Sequence, residues 1–183
     1  MLQTLTEILY RIDFAVLDLI QSYCRSPLGD TIMTFFSRIG DLGTVWLLLA
    51  LLLIIRRPTR RTGIAILAAL LLANLLGNYI LKPLIGRPRP FMLSPLDGLP
   101  EIALLENSFS FPSGHTISSF AAATALFVHN KRLGTPALLL AALIAFSRLY
   151  IYVHFPSDVL AGTLLGWLIG CITARLITAQ TPQ

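Results

Sequence analysis

Lys82, Arg87 and Arg89 in KPLIGRPRP, His115 in FPSGHT, Arg148 in SRLY and His154 in HFPSD all fall at or near the ends of apolar runs. Singly, each has an ordinary reading: a lysine snorkels, an arginine caps a helix carboxyl end, and a lone histidine is more often structural than catalytic. Together they suit an oxyanion. In PSGHT, Pro112 suits a first helical turn, so Ser113, Gly114 and His115 sit where backbone amides have no intrahelical acceptor. The glycine lets an oxyanion approach the backbone, and the helix dipole favours negative charge there. In HFPSD, Pro156 is a natural first helical residue and leaves His154 just outside the helix, with Asp158 in the first turn and able to reach back to the imidazole. A carboxylate on one ring nitrogen fixes the tautomer and frees a lone pair on the other, as a nucleophile or base requires. No such partner is in view for His115. The asymmetry points to His154 as the attacking group and His115 as the proton donor to a leaving oxygen.

The elements that must hold these groups lie in lipid. Of 183 residues, 55% are hydrophobic and 13% charged, with mean hydropathy +0.75, which is too apolar for a soluble domain of this length. The expected fold is all-α, a polytopic membrane helix bundle in one domain over residues 1–183. Five runs are candidate spans: Leu42 to Ile55, Gly63 to Leu81, His115 to Val128, Thr135 to Tyr152 and Pro156 to Ile177. The first and third are short, so each must borrow flanking residues such as Phe35 and Phe36 or thin the bilayer. Residues 1–40 form an amino-terminal amphipathic region. Within it, Leu2 to Tyr23 carries Glu7, Arg11, Asp13 and Asp18 among its leucines and isoleucines, and is expected to lie in the interface, with a sixth span as the competitor.

Orientation follows from the arginines. RRPTRR between the first two runs, Lys131 and Arg132 between the third and fourth, and Arg175 near the chain end share one side, which the positive-inside rule makes cytoplasmic. The protein is thus expected in the plasma membrane as a multi-pass chain, with the cations of residues 82–158 gathered on the extracytoplasmic face, where translocation disfavours them without a separate reason. Trp46, Tyr79, Tyr150 and Tyr152 read as an aromatic belt at that outer boundary. The net charge of +5 and pI near 9.7 fit anionic headgroups better than nucleic acid, and no nucleic-acid partner is expected. Cys24 and Cys171 imply no disulfide, and neither composition nor pattern implies an oligomeric state.

Lys82, six intervening residues, then Arg89-Pro90; Pro112-Ser113-Gly114-His115; and Ser147-Arg148, five residues, His154, three residues, Asp158 resemble the three-part signature of the type 2 phosphatidic acid phosphatase superfamily. The resemblance covers residues 82–158 and departs at no signature position. It implies an integral membrane phosphatase that needs no metal or other cofactor and hydrolyses a lipid phosphate or diphosphate through a phosphohistidine. It assigns His154 as nucleophile, Asp158 as its orienting partner, His115 as general acid, and Lys82, Arg89, Ser113, Gly114 and Arg148 as ligands of the phosphoryl oxygens. Small size and lack of appended domains fit the bacterial members that act on undecaprenyl diphosphate or phosphatidylglycerophosphate.

Outside the signature the readings are plainer. Arg87 is a second-rank substrate contact whose ordinary role is to face lipid headgroups. Glu106, on the long outer loop from Phe91 to Phe111, either contacts a headgroup or is simply solvated. Arg38 and Asp41 are expected to pair with each other, Asn74 and Asn78 to bond between helices, and Gly162, Gly166 and Gly170 to form a close helix contact. The rival of a different class is a non-catalytic lipid-phosphate binder or transporter. Two histidines with a carboxylate argue against it, since lysine and arginine suffice for binding.

Overall fold

The computed structural model describes residues 2–104, 106 and 108–179, and among these it holds helices and turns but no strand. The helices are α1 (Leu2–Tyr23), α2 (Pro27–Ile39), α3 (Thr44–Ile55), α4 (Arg60–Asn74), the short α5 (Lys82–Ile85), α6 (Pro90–Leu93) and α7 (Glu101–Leu104), then α8 (Gly114–His129), α9 (Lys131–Tyr150) and α10 (Pro156–Ala179). Three stretches are long and apolar enough to cross a membrane: Arg57–Leu93, Lys131–Tyr150 and Pro156–Thr178. A fourth arises if α2 and the segment Asp41–Ile55, bent by 46° at their junction, count as one broken span. That pairing supplies the length the Leu42 to Ile55 run lacks, with Phe35 and Phe36 both on α2.

Local chemistry sets the breaks. Ser26 caps α2 by accepting from the Gly29 amide, and Pro27 opens the helix. The helix stops at Gly40, and the chain turns through Asp41–Gly43 with Leu42 at φ 53 and Gly43 at φ 68 before α3 resumes. At the far end of α4, the turns widen over Leu75–Leu81 just ahead of Pro83, whose ring cannot sit against the carbonyl four residues earlier. Gly86, at φ 62, then reverses the chain so that Arg87 and Arg89 leave the helix and turn back over the bundle end.

α8 is the central rod. Ala121, Ala122, Ala123 and Ala125 are fully buried, and α8 packs against α4, α9 and α10. Small side chains let backbones approach closely where lipid provides no hydrophobic drive between helices. Gly162, Gly166 and Gly170 do this on α10: a Cβ at Gly166 would stand 2.6 Å from the Ile117 carbonyl oxygen and 3.0 Å from the Ala121 amide. With α8 and α10 in such contact, their amino ends, bearing His115 and Asp158, come to one side of the bundle.

One expectation, the aromatic belt, needs correction. Of the four belt aromatics, only Tyr79 is exposed; Trp46, Tyr150 and Tyr152 are buried. Trp46 lies in the core because Ser119 accepts its indole N–H at 2.9 Å, so the ring needs no interface to satisfy it. Along α1, the apolar stripe of Leu5, Ile8, Leu9 and Ile12 faces outward, whereas the charged Asp13 is turned inward and buried beside Leu17 and Ile20. The helix packs on α9 and α10.

Gly166→Leu forces α8 and α10 apart at their backbones and lowers stability by about 2 kcal/mol or more, by analogy with overpacked cores. Leu164, outward-facing on the same helix, is the control. Thermal unfolding in detergent should show a marked drop for Gly166→Leu and none for Leu164→Ala; equal melting of both would contradict the close-contact role.

Candidate active site

Helix ends bring the singled-out residues to one cavity of about 420 Å³. Lys82, Arg89, Glu106, Gly114, His115 and His154 line its polar end, and Leu47, Leu67, Leu70 and Leu71 line its continuation between α3 and α4. Arg148, Ser113, Asp158 and Arg87 are buried behind this lining.

His154 is almost wholly buried, and its Nε2 lies 3.3 Å from Arg89 Nη1. A guanidinium only donates, so Nε2 is the acceptor and the ring proton belongs on Nδ1. Nδ1 faces Asp158 Oδ2 at 3.5 Å, an ion-pair separation longer than a tight hydrogen bond. The same Asp158 oxygen accepts the Phe155 amide at 2.8 Å, the third-residue carboxylate reaching back over the start of α10. Burial, then the charges of Arg89, Arg148 and Lys82, hold the imidazole well below the usual histidine range. His154 is therefore neutral at physiological pH, with a bare nitrogen toward the cavity.

Three of the cations share partners on the loop before α8: Lys82 and Arg89 meet at Ser108, and Arg89 and Arg148 at Glu106. Arg89 donates from Nε to the Ser108 carbonyl at 2.7 Å and from Nη1 to the Val153 carbonyl at 2.9 Å, which locks its plane. Lys82 Nζ donates to the Ser108 hydroxyl at 3.2 Å. Arg148 donates to Ser37 and to Glu106. Glu106 is the internal anion of the site: Oε2 accepts from Arg89 at 2.7 Å and Oε1 from Arg148. Burial alone would raise this carboxyl, but the two guanidiniums outweigh it and hold Glu106 at about 2. The loop glutamate thus occupies the cationic cradle, rather than a solvated position.

At the start of α8, Ser113 is the cap: its hydroxyl accepts from the Thr116 hydroxyl at 2.9 Å and from the Thr116 amide. The helix begins at Gly114, two residues later than the proline pattern suggests, so Gly114 and His115 supply the free amides. The seat can hold a tetrahedral oxyanion between these amides, Lys82 and the two guanidiniums, with His154 Nε2 at its edge.

Several partners differ from expectation. His115 does have a carboxylate: its Nε2 meets Asp41 Oδ1 at 2.8 Å. Asp41 therefore engages the histidine, not the local Arg38 suggested by three-residue spacing, because the bend at Gly40 carries it over the amino end of α8. A Cβ at Gly40 would come within 3.0 Å of the His115 ring, so the close approach needs glycine. Asn78 donates to Asn74 at 2.7 Å along one helix, and both line the cavity instead of bonding across helices. Arg87, expected as a substrate contact or headgroup-facing charge, does neither: it is buried between Asp13 and Asp158, at 2.6 Å from each. Asp13, Asp41, Ser37, Ser108 and Ser157 are the site's additional polar residues, and each is recruited by a partner distant in sequence.

A model of the PAP2 superfamily matches residues 62–182. The chain is 34% identical over 150 residues to an undecaprenyl-diphosphatase of Sulfolobus acidocaldarius, covering 79% of this chain and 69% of the relative. It is 30% identical over 158 residues to an undecaprenyl-diphosphatase of Bacillus subtilis, covering 84% and 77%. Among solved structures, a transmembrane phosphatidylglycerolphosphate phosphatase from Bacillus subtilis superposes with TM-score 0.76 at 27% identity, covering 94% of this chain and 87% of that one.

Removing the internal anion should expose the cradle. Glu106→Gln is expected to tighten inhibition by inorganic phosphate or orthovanadate by about tenfold, the scale of one charge-assisted hydrogen bond no longer in competition. An unchanged or weaker inhibition constant would contradict this.

Proposed function

The chain belongs to the PAP2 superfamily and is a membrane phosphatase, and from that premise we propose that it hydrolyses a lipid phosphate or diphosphate, a polyprenyl diphosphate first, through a phosphohistidine on His154. The observation that carries the reading is the cavity's two-part lining: imidazoles and cations at one end run without a break into leucines at the other. A water-soluble phosphate has no use for the leucines, whereas a lipid needs both. The names of the relatives, two undecaprenyl-diphosphatases and a phosphatidylglycerolphosphate phosphatase, support this substrate class.

In the proposed reaction the phosphoryl group sits among Lys82, Arg89, Arg148 and the amides of Gly114 and His115, displacing the Glu106 carboxylate. His154 Nε2 attacks phosphorus in line as the bond to the leaving oxygen breaks, and His115 gives that oxygen its proton. The phosphorylated imidazole is cationic, and Asp158 faces its Nδ1–H. Water then attacks phosphorus, His115 recovers a proton from it, the P–N bond breaks to His154, and inorganic phosphate leaves. The charge spread over the equatorial oxygens in each step is met by fixed protein cations and amides, which is the chief demand of phosphoryl transfer. No metal ion or other cofactor enters the scheme.

With the positive-rich connections Arg56–Arg61 and Lys131–Arg132 at the opposite end of the bundle, the reading places the site at the extracytoplasmic face of the plasma membrane. Four spans, with α2 and α3 as one, plus the shorter central α8 as a fifth, satisfy that orientation, and α1 lies against them at the outer surface.

Phosphate release from undecaprenyl diphosphate in detergent tests the proposal. His154→Ala should lose at least about 10⁴-fold in kcat, as removal of a nucleophile does, while a chelator leaves the wild-type rate unchanged. Near-normal turnover by His154→Ala would overturn the nucleophile, and a strict divalent-ion requirement would overturn the all-protein cation scheme.

A further inference from the structure

We infer that Asp13, on the amino-terminal helix, is a positioning residue for this reaction: through Arg87 it sets how much negative charge Asp158 presents to His154. The inference rests on the reading of His154 as nucleophile. It starts from an oddity of α1, a helix whose leucines and isoleucines face outward while one carboxylate is turned in and buried to 1% exposure. A buried carboxylate persists only where it is paired and fully bonded.

Asp13 is so bonded. Its Oδ2 accepts from Arg87 Nη2 and from the Ser157 hydroxyl, each at 2.6 Å, and its Oδ1 accepts from the Ser157 amide at 2.9 Å. Arg87 in turn donates from Nη1 to Asp158 Oδ1 at 2.6 Å and to the Ser157 hydroxyl at 2.7 Å. The guanidinium lies 4.0 Å from the Phe155 ring centroid and 4.7 Å from that of Tyr10, so aromatic faces hold it in place. Asp13, Arg87 and Asp158 therefore form one bonded chain from α1, and its last carboxylate oxygen stands 3.5 Å from Nδ1 of the His154 ring, across the imidazole from the reacting Nε2.

The count of charges says what this chain does. Two carboxylates share one guanidinium, which leaves one uncancelled negative charge, and its outlet toward the cavity is Asp158 Oδ2 beside His154 Nδ1. Without Asp13, Arg87 neutralises Asp158 outright. The imidazole would then gain positive charge on phosphorylation with no counter-charge behind it. Substrate binding depends instead on Lys82, Arg89 and Arg148, none of which bonds Asp13 or Arg87. Loss of Asp13 should thus fall on turnover and spare affinity.

The groups facing the His154 ring are Arg89, Lys82 and Glu106 on the cavity side, Arg148 behind the lining, His115 from α8, and Asp158 from α10. Only Asp158 is tied to Asp13. Removing the distant carboxylate disfavours the protonated imidazole, so the acid limb of kcat/KM should move to lower pH.

Asp13→Asn, assayed for phosphate release in detergent after size-exclusion chromatography confirms a folded preparation, should lose about tenfold or more in kcat with KM within about twofold, the scale of losses when an outer partner of a reacting group is removed. Its acid limb should shift down by roughly half a pH unit or more. The double variant Asp13→Asn with Arg87→Gln restores the single uncancelled charge on Asp158 and should recover most of the lost rate. A smaller loss in Asp13→Asn, a KM that rises in step with the fall in kcat, an unmoved acid limb, or a double variant no faster than the single overturns the inference. Should Asp13→Asn fail to fold, the double variant decides alone: kcat within about tenfold of wild type supports the charge count, and a greater loss overturns it. His154→Ala run alongside separates the two readings, since an active His154→Ala removes the nucleophile itself, whereas an inert one beside an unaffected Asp13→Asn removes only this role for α1.

Discussion

Lys82 and Arg89 on the wall of one cavity and Arg148 buried behind it are like charges gathered at the end of a membrane bundle, and their repulsion and lost hydration are the constraint to which the surrounding structure answers. Close cations in surroundings of low effective dielectric repel by several kcal/mol per pair. The answer here is partial by construction. Carbonyls of Ser108 and Val153 and the hydroxyls of Ser37 and Ser108 orient the donors, and Glu106 supplies a single carboxylate to the two guanidiniums. A surplus of positive charge is left, and a phosphoryl dianion matches it.

The bundle serves that site by bringing helix ends together. Glycines on α10 let it approach the backbone of α8, so the amino ends of both helices open on the same side, one with free amides and His115, the other with Asp158 reaching back toward His154. The bend between α2 and α3 delivers Asp41 to His115, and the wide turns before Pro83 carry Asn78 and lead into Lys82 at the cavity wall. Breaks in otherwise regular helices thus mark the places where side chains reach the candidate site.

Much of this was legible in the chain because the relevant signals are local. Pro-Ser-Gly-His announces a helix start, His154 and Asp158 are one turn apart, and the apolar runs announce the rods. The family resemblance built on those patterns is borne out by the matched superfamily model. What stayed hidden is long-range. Asp13 finds Arg87, and Asp41 finds His115, each across 74 positions. Read locally, Asp13 is one of four charges on an amphipathic helix and Asp41 is a neighbour of Arg38. Arg87 likewise reads as a lipid-facing charge until the reversal at Gly86 turns it inward, and Trp46 reads as an interfacial anchor until Ser119 satisfies it in the core. Pairing of buried polar groups is decided by tertiary approach, which periodicity does not encode.

The account stands or falls on a covalent bond to one imidazole nitrogen. Turnover of a substrate carrying a radiolabelled terminal phosphoryl group, stopped by rapid mixing with base and followed by peptide mapping, reads it directly. The account predicts an alkali-stable, acid-labile label that appears within the first turnover and maps to the peptide containing His154. Steady phosphate release with no protein-bound label under the same quench, or a label that maps to another residue, would contradict it.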